Sequence, residues 1–97
     1  MQLEQIQQIA VIGLGRMGHG IAQSFASAGF QVRAFDASVD ARESAQGRIR
    51  ANLDAFVTAE LINPEHVEPI LDRIVVVDTE TAAATDADFV VEAIAEK

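Results

Sequence analysis

The stretch of this chain best suited to holding a ligand is Gly13-Leu14-Gly15-Arg16-Met17-Gly18, a G-x-G-x-x-G pattern. Each glycine has a distinct use in such a loop. Gly13 allows a tight turn, Gly15 lets the backbone approach a pyrophosphate where a Cβ would collide, and Gly18 lets a helix pack closely on a strand. A helix starting here would point unpaired N–H groups and the positive end of its dipole at the phosphates. Short glycine patterns also occur as plain strand-to-helix turns without a ligand, so the flanking context decides. A buried strand runs in and a helical pattern runs out. Asp36 lies 18 residues after Gly18, at the end of a second apolar strand. An acid at that place accepts hydrogen bonds from the adenosine ribose hydroxyls. The plain alternative is a solvated strand-end acid or a helix cap. Ala37 and Ser38 follow it, so no arginine adjoins Asp36 to hold a 2′-phosphate, and Arg42 reads as a solvated side chain. The expected cofactor is NAD rather than NADP.

The elements that must position these residues follow from periodicity. Residues 8–12 form a short buried strand. Residues 17–28 turn helical, with Met17, Ile21, Phe25 and Ala28 on one apolar face and Gly29 as a left-handed stop. Residues 31–35 are a second strand. Ser38 or Asp40 can cap a long helix over 39–60, whose stripe is Ala45, Ile49, Leu53 and Phe56. Asn63-Pro64 reads as a cap followed by proline at the first helical position, and Pro69 limits any helix there to short pieces. Residues 74–77 are a third strand, 81–85 a short helix and 89–93 a fourth strand. Strands alternating with helices predict an α/β fold, a Rossmann-type doubly wound parallel sheet of four strands. The expected order is 3-2-1-4, with a switch point between strands one and four.

Few other residues invite chemistry. His19 and His66 read as surface histidines, since neither has a Ser, Cys or metal-ligand partner at a recognisable spacing. Glu60, Glu65, Glu68 and Asp72 read as a solvated face. Gly20 costs about 1 kcal/mol in a helix relative to alanine, so either a neighbour needs the room or the glycine is simply tolerated. No metal site and no catalytic group is expected within these residues.

Composition bounds the rest. The chain has 97 residues, 49% of them hydrophobic, which allows one domain at most. A net charge of −8 with seven scattered basic residues argues against nucleic acid. There is no cysteine for disulfides or thiol chemistry. The polar start lacks a signal-peptide pattern and no apolar run is long enough to span a bilayer, so a cytoplasmic protein without membrane contact is expected.

The run from Ile9 to Ala22, IAVIGLGRMGHGIA, resembles the opening of 3-hydroxyacyl-CoA dehydrogenases, and Met17 with Gly20-Ile21-Ala22 goes beyond a generic fingerprint. The block from Ala87 to Lys97, ADFVVEAIAEK, resembles that family's fourth strand followed by Glu-Ala-x-x-Glu and then Asn or Lys. The resemblance implies that residues 1–97 are the first part of a dinucleotide-binding domain, without the rest of that domain or the helical C-terminal domain. It implies that the loop from Gly13 to Gly18, Leu14 and Arg16 included, lines the pyrophosphate. It places Asp36 at the adenine ribose, and Ala95 and Glu96 near the nicotinamide half. The implied reaction oxidises the 3-hydroxyl of a 3-hydroxyacyl-CoA to the keto form with hydride transfer to NAD, as in fatty-acid oxidation, in a homodimeric parent enzyme. Its catalytic His–Glu pair, Ser and Asn would lie beyond Lys97, so the 97-residue chain alone is expected to be inactive. The long helix offers Arg48 and Arg50 but no lysine, so the family's CoA contact does not carry over. The alternatives are a β-hydroxyacid dehydrogenase of the 3-hydroxyisobutyrate or 6-phosphogluconate type, or a non-catalytic NAD-binding module.

Overall fold

The computed structural model describes residues 6–93. The most apolar segment of the chain forms its central strand. β1 (Gln8–Ile12) buries Ile9, Ala10, Val11 and Ile12 and pairs in parallel with β2 (Gln31–Phe35) on one side and β4 (Phe89–Glu92) on the other. β2 in turn pairs with β3 (Ile74–Val76), which gives the order β3-β2-β1-β4. The expected four-stranded parallel sheet is present in the expected order. Strands buried on both faces need apolar residues at successive positions rather than alternate ones, and β1 shows that pattern.

Side-chain alternation along β1 divides the core in two. Ile9 and Val11 face α1 (Arg16–Ser27), α2 (Val39–Thr58) and α3 (Val67–Asp72), and share a cluster with Leu14, Ala22, Ile49 and Leu53. Ala10 and Ile12 face α4 (Glu80–Ala84) and pack with Ala83. The helices thus lie on both faces, as right-handed crossovers in two directions require.

Local chemistry sets the helix ends. Ser38 caps α2 by accepting from the Ala41 N–H, and Thr79 caps α4 by accepting from Ala82 at 3.0 Å. That second cap starts α4 one residue earlier than the sequence suggests. Pro64 opens a single 3-10 turn, Pro64–His66, and the six-residue α3 accommodates Pro69 in its first turn, where no helical N–H is lost. β3 and β4 each end one residue short of the expected span, although Val77 and Ala93 still donate to Ala34 and Ile12.

The face of α1 differs from expectation. Its buried residues are Gly18, Ala22, Gln23 and Ala26, while Met17 is 70% exposed and Ile21 and Phe25 are only half-buried. The small residues at spacings of four let the helix axis approach the sheet, so the larger apolar side chains are displaced to its flank. On α2 the expected stripe is buried at Ala45, Ile49 and Leu53, but Phe56 is exposed.

At the start of the β1–β4 pair, one Asp88 carboxylate oxygen accepts the backbone N–H groups of Gln7 and Gln8 at 2.9 and 3.0 Å. The Gln7 N–H, with that of Gln8, holds the Asp88 carboxyl below the usual carboxylate range. On the surface Arg50 and Glu68 form an ion pair at 2.6 Å. Their mutual hydrogen bond raises the Arg50 pKa and lowers that of Glu68. Exposed pairs of this kind contribute little to stability.

Candidate functional site

The carboxyl ends of β1, β2 and β4 meet at one cleft of about 320 Å3, lined by Ile12, Gly13, Gly15, Phe35, Asp36, Ala37, Glu80 and Ala93. It opens where β1 leads to β2 on one side and β4 arrives on the other. In open α/β sheets ligands bind at such a switch point.

The glycine loop is built as the sequence suggests. Gly13 has φ 107°, a conformation that a residue with a Cβ adopts only with strain, and its N–H donates to the Phe35 carbonyl at 2.7 Å. A Cβ on Gly18 would collide with the backbone carbonyl of Gly13, so close helix packing demands this glycine. Gly15 differs. Among the described residues, no atom outside its immediate chain surroundings lies within 4 Å of a Cβ built there, so packing of the described residues does not require glycine, and the position lines the cleft. Gly15 is also the N-cap residue of α1 and makes no side-chain cap, which leaves the first N–H groups of the helix to a ligand or water. These features fit a pyrophosphate.

Asp36 is fixed in place by two backbone donors. Oδ2 accepts from Leu14 N at 2.7 Å and Oδ1 from Ser38 N at 2.7 Å. A carboxylate offers about four lone-pair sites, so roughly two remain for the hydroxyls of a ribose. The acid thus joins the glycine loop to the end of β2 and still fits a diol.

The other loop residues divide by position. The Leu14 side chain is fully buried in the core and lines no cleft. Arg16 and Met17 are exposed and line a separate shallow groove along the outer side of α1, with Gly20, Ile21, Phe25 and Phe30. Nothing lies within 4 Å of a Cβ on Gly20, so neither the sheet nor any other described residue needs the room. Ala95 and Glu96 lie outside the described residues. Glu80, at the first position of α4, and Phe35 line the cleft without having been picked out by sequence. No motif marks them, because only the fold brings α4 beside β2. Among the described residues no His, Cys, Asp or Glu cluster could hold a metal ion, and no helix is long and apolar enough to cross a membrane.

Two polar side chains expected to be solvated are structural. Arg42 donates to the Asp36 carbonyl at 2.7 Å and lies 5.6 Å from the Phe35 ring centroid. His19 is half-buried, with Nδ1 2.9 Å from Arg48 Nη1 and Nε2 3.3 Å from Asn52 Nδ2. Helix–helix packing of α1 on α2 supplies these partners from about 30 residues away, which no local pattern reveals.

The profile of the 3-hydroxyacyl-CoA dehydrogenase NAD-binding domain matches residues 8–97. Relatives include a probable 3-hydroxybutyryl-CoA dehydrogenase of Bacillus subtilis, 39% identical over 95% of this chain and 32% of the relative. Another is the 3-hydroxyadipyl-CoA dehydrogenase of Escherichia coli, 41% identical over 95% of this chain and 19% of the relative. The crystal structure of a 3-hydroxybutyryl-CoA dehydrogenase from Escherichia coli K12 superposes with a TM-score of 0.85 at 41% identity, over 95% of this chain and 19% of that one. That of (S)-3-hydroxybutyryl-CoA dehydrogenase from Ralstonia eutropha gives 0.86 at 28%, over 95% and 32%. The chain therefore spans about a third or less of the length of these relatives. Its glycine loop, its acid at the end of β2, its 3-2-1-4 sheet and the match over residues 8–97 agree: the chain belongs to the 3-hydroxyacyl-CoA dehydrogenase NAD-binding domain family.

Proposed function

We propose that this chain binds NAD in the cleft at the β1–β4 switch point. The observation that carries the reading is the Asp36 carboxylate, tied to Leu14 N and Ser38 N at the mouth of the glycine loop. Gly13, Gly15 and Gly18 shape the loop for the pyrophosphate, the backbone of Leu14, Arg16 and Met17 contributes to it, and Asp36 holds the adenine ribose. The family pattern assigns Ala95 and Glu96 to the nicotinamide half. Together with a catalytic segment following residue 97, this unit would serve oxidation of a 3-hydroxyacyl-CoA to the 3-keto form, with hydride passing to NAD. The names of the curated relatives support a short or dicarboxylic acyl chain. The same family reading carries a homodimeric, cytoplasmic parent enzyme.

The test is calorimetric titration of the chain with NADH and NADPH. A 2′-phosphate charge about 4 Å from a carboxylate is repelled by about 1 kcal/mol in water and about 4 kcal/mol at an effective dielectric of 20. NADH should therefore bind at least about fivefold tighter. Equal or tighter NADPH binding would overturn the assignment to NAD. Gly15→Val should abolish NADH binding and leave the melting temperature nearly unchanged, since among the described residues nothing beyond the chain neighbours lies within 4 Å of a Cβ there. Turnover of a 3-hydroxyacyl-CoA by the 97-residue chain alone would refute the placement of the catalytic groups beyond it.

A further inference from the structure

Leu14 is held at both ends of its backbone by side chains of opposite charge. Its N–H donates to Asp36 Oδ2 at 2.7 Å, and its carbonyl accepts from Arg48 Nη2 at 2.8 Å. The Leu14 carbonyl shares a planar trans peptide unit with the Gly15 N–H, so the two point in opposite directions. Drawing the carbonyl toward α2 turns the Gly15 N–H away from α2, at a residue that lines the cleft.

The rest of the Arg48 guanidinium is also engaged. Nη2 donates to the Ala41 carbonyl at 3.1 Å and Nε to Ser44 Oγ at 3.0 Å. Nη1 lies 2.9 Å from His19 Nδ1, which itself lies 2.9 Å from the Gly15 carbonyl, so the ring's tautomer decides which of these two contacts is a hydrogen bond. The groups around the guanidinium belong to the glycine loop, to α1 and to α2. A lysine carries a single ammonium and cannot span this fork.

We infer that Arg48 is a positioning residue for pyrophosphate binding. It acts through the Leu14 peptide, which it orients so that the Gly15 N–H faces a phosphate, and it does not touch the ligand itself. The inference rests on the reading of this cleft as a dinucleotide site. It predicts a selective effect. The adenosine half is held by Asp36, which keeps its second anchor at Ser38 N when Arg48 is changed.

The experiment compares wild-type chain with Arg48→Met and Arg48→Lys. NADH binding is followed by its own fluorescence, adenosine binding by NMR shift titration, and exchange of the Gly15 and Arg16 amides by NMR. In Arg48→Met, NADH should weaken by about tenfold, the effect of one lost charge-assisted hydrogen bond. Adenosine should stay within about twofold and the two loop amides should exchange faster. Arg48→Lys should fall between, and it decides the matter should Arg48→Met not fold. NADH affinity unchanged in the variants, or equal loss for NADH and adenosine, would overturn the inference while leaving the site assignment standing. Wild-type chain that fails to bind NADH would remove both.

Discussion

β1 and β4 run side by side in parallel register, from Ile9 opposite Phe89 to Ile12 opposite Glu92. Both are dominated by apolar residues, yet their surroundings differ. β1 has a neighbour on each side and helices on both faces, and everything from Ile9 to Ile12 is buried. β4 forms the edge of the sheet among the described residues, with Phe89 52% and Val90 46% exposed. Composition marks both as core strands. Position in the sheet decides which of them is one.

The sharpest way to break this contrast lies where β1 hands over to α1. Gly18→Val should cost about 3 kcal/mol or more, because the new side chain meets the Gly13 carbonyl and backbone yields poorly. Gly20→Ala, two residues on in open space, should instead gain up to about 1 kcal/mol. Urea unfolding of the two variants measures both signs. Within the strands, Ile9→Ala should cost about 2–5 kcal/mol by emptying the core. Val90→Ala should remain within about 0.5 kcal/mol, as for an exposed position. Similar losses at the two sites would erase the difference between the two strands.

The edge itself predicts association. Among the described residues nothing covers β4, and an open apolar edge offers unpaired N–H and C=O groups to other chains, so the chain should self-associate through β4. Sedimentation should show concentration-dependent association that Val90→Lys suppresses. A monomer at high concentration with strong amide protection at Val90 and Val91 contradicts this. The smallest effect is expected at Asp88, whose carboxyl is held low by the Gln7 and Gln8 N–H groups. A depressed folded-state pKa stabilises above the unfolded value, about 3.9, and that contribution is lost as pH falls through the folded value. Asp88→Asn should therefore lower stability slightly near pH 7, where the contribution is fully present, and change little below the folded pKa, where wild type has lost it too, so the fall of stability below about pH 4 is flattened.

Much of this was legible in the chain's own order of residues. The bounds of β1 and β2 fall where apolar runs meet Gly13 and Asp36. The loop glycines sit where tight turns and close packing need them. The inward face of α1 was not legible. Hydropathy favours Met17 and Phe25, whereas helix-on-sheet packing selects for small size and buries Gly18, Ala22 and Ala26. Nor could the sequence show what Arg42, Arg48 and His19 do, since most of the bonds that define them reach backbone atoms or helices remote in sequence.

The pairing of Gln7 and Gln8 with Asp88 spans 81 and 80 residues, whereas β1 meets β2 at Ile9 and Val32. Closing the larger loop amounts to roughly two doublings of length and costs about 1 kcal/mol more entropy. We expect β1, β2 and β3 to assemble first and β4 to zip on last, with Asp88 as its first latch. The Ala93 wall of the cleft arrives only in that step. Competence to hold a dinucleotide would then be the final event of folding. A cofactor present during synthesis would draw late intermediates forward by mass action, so the supply of NAD could set how much of the chain escapes the half-assembled state.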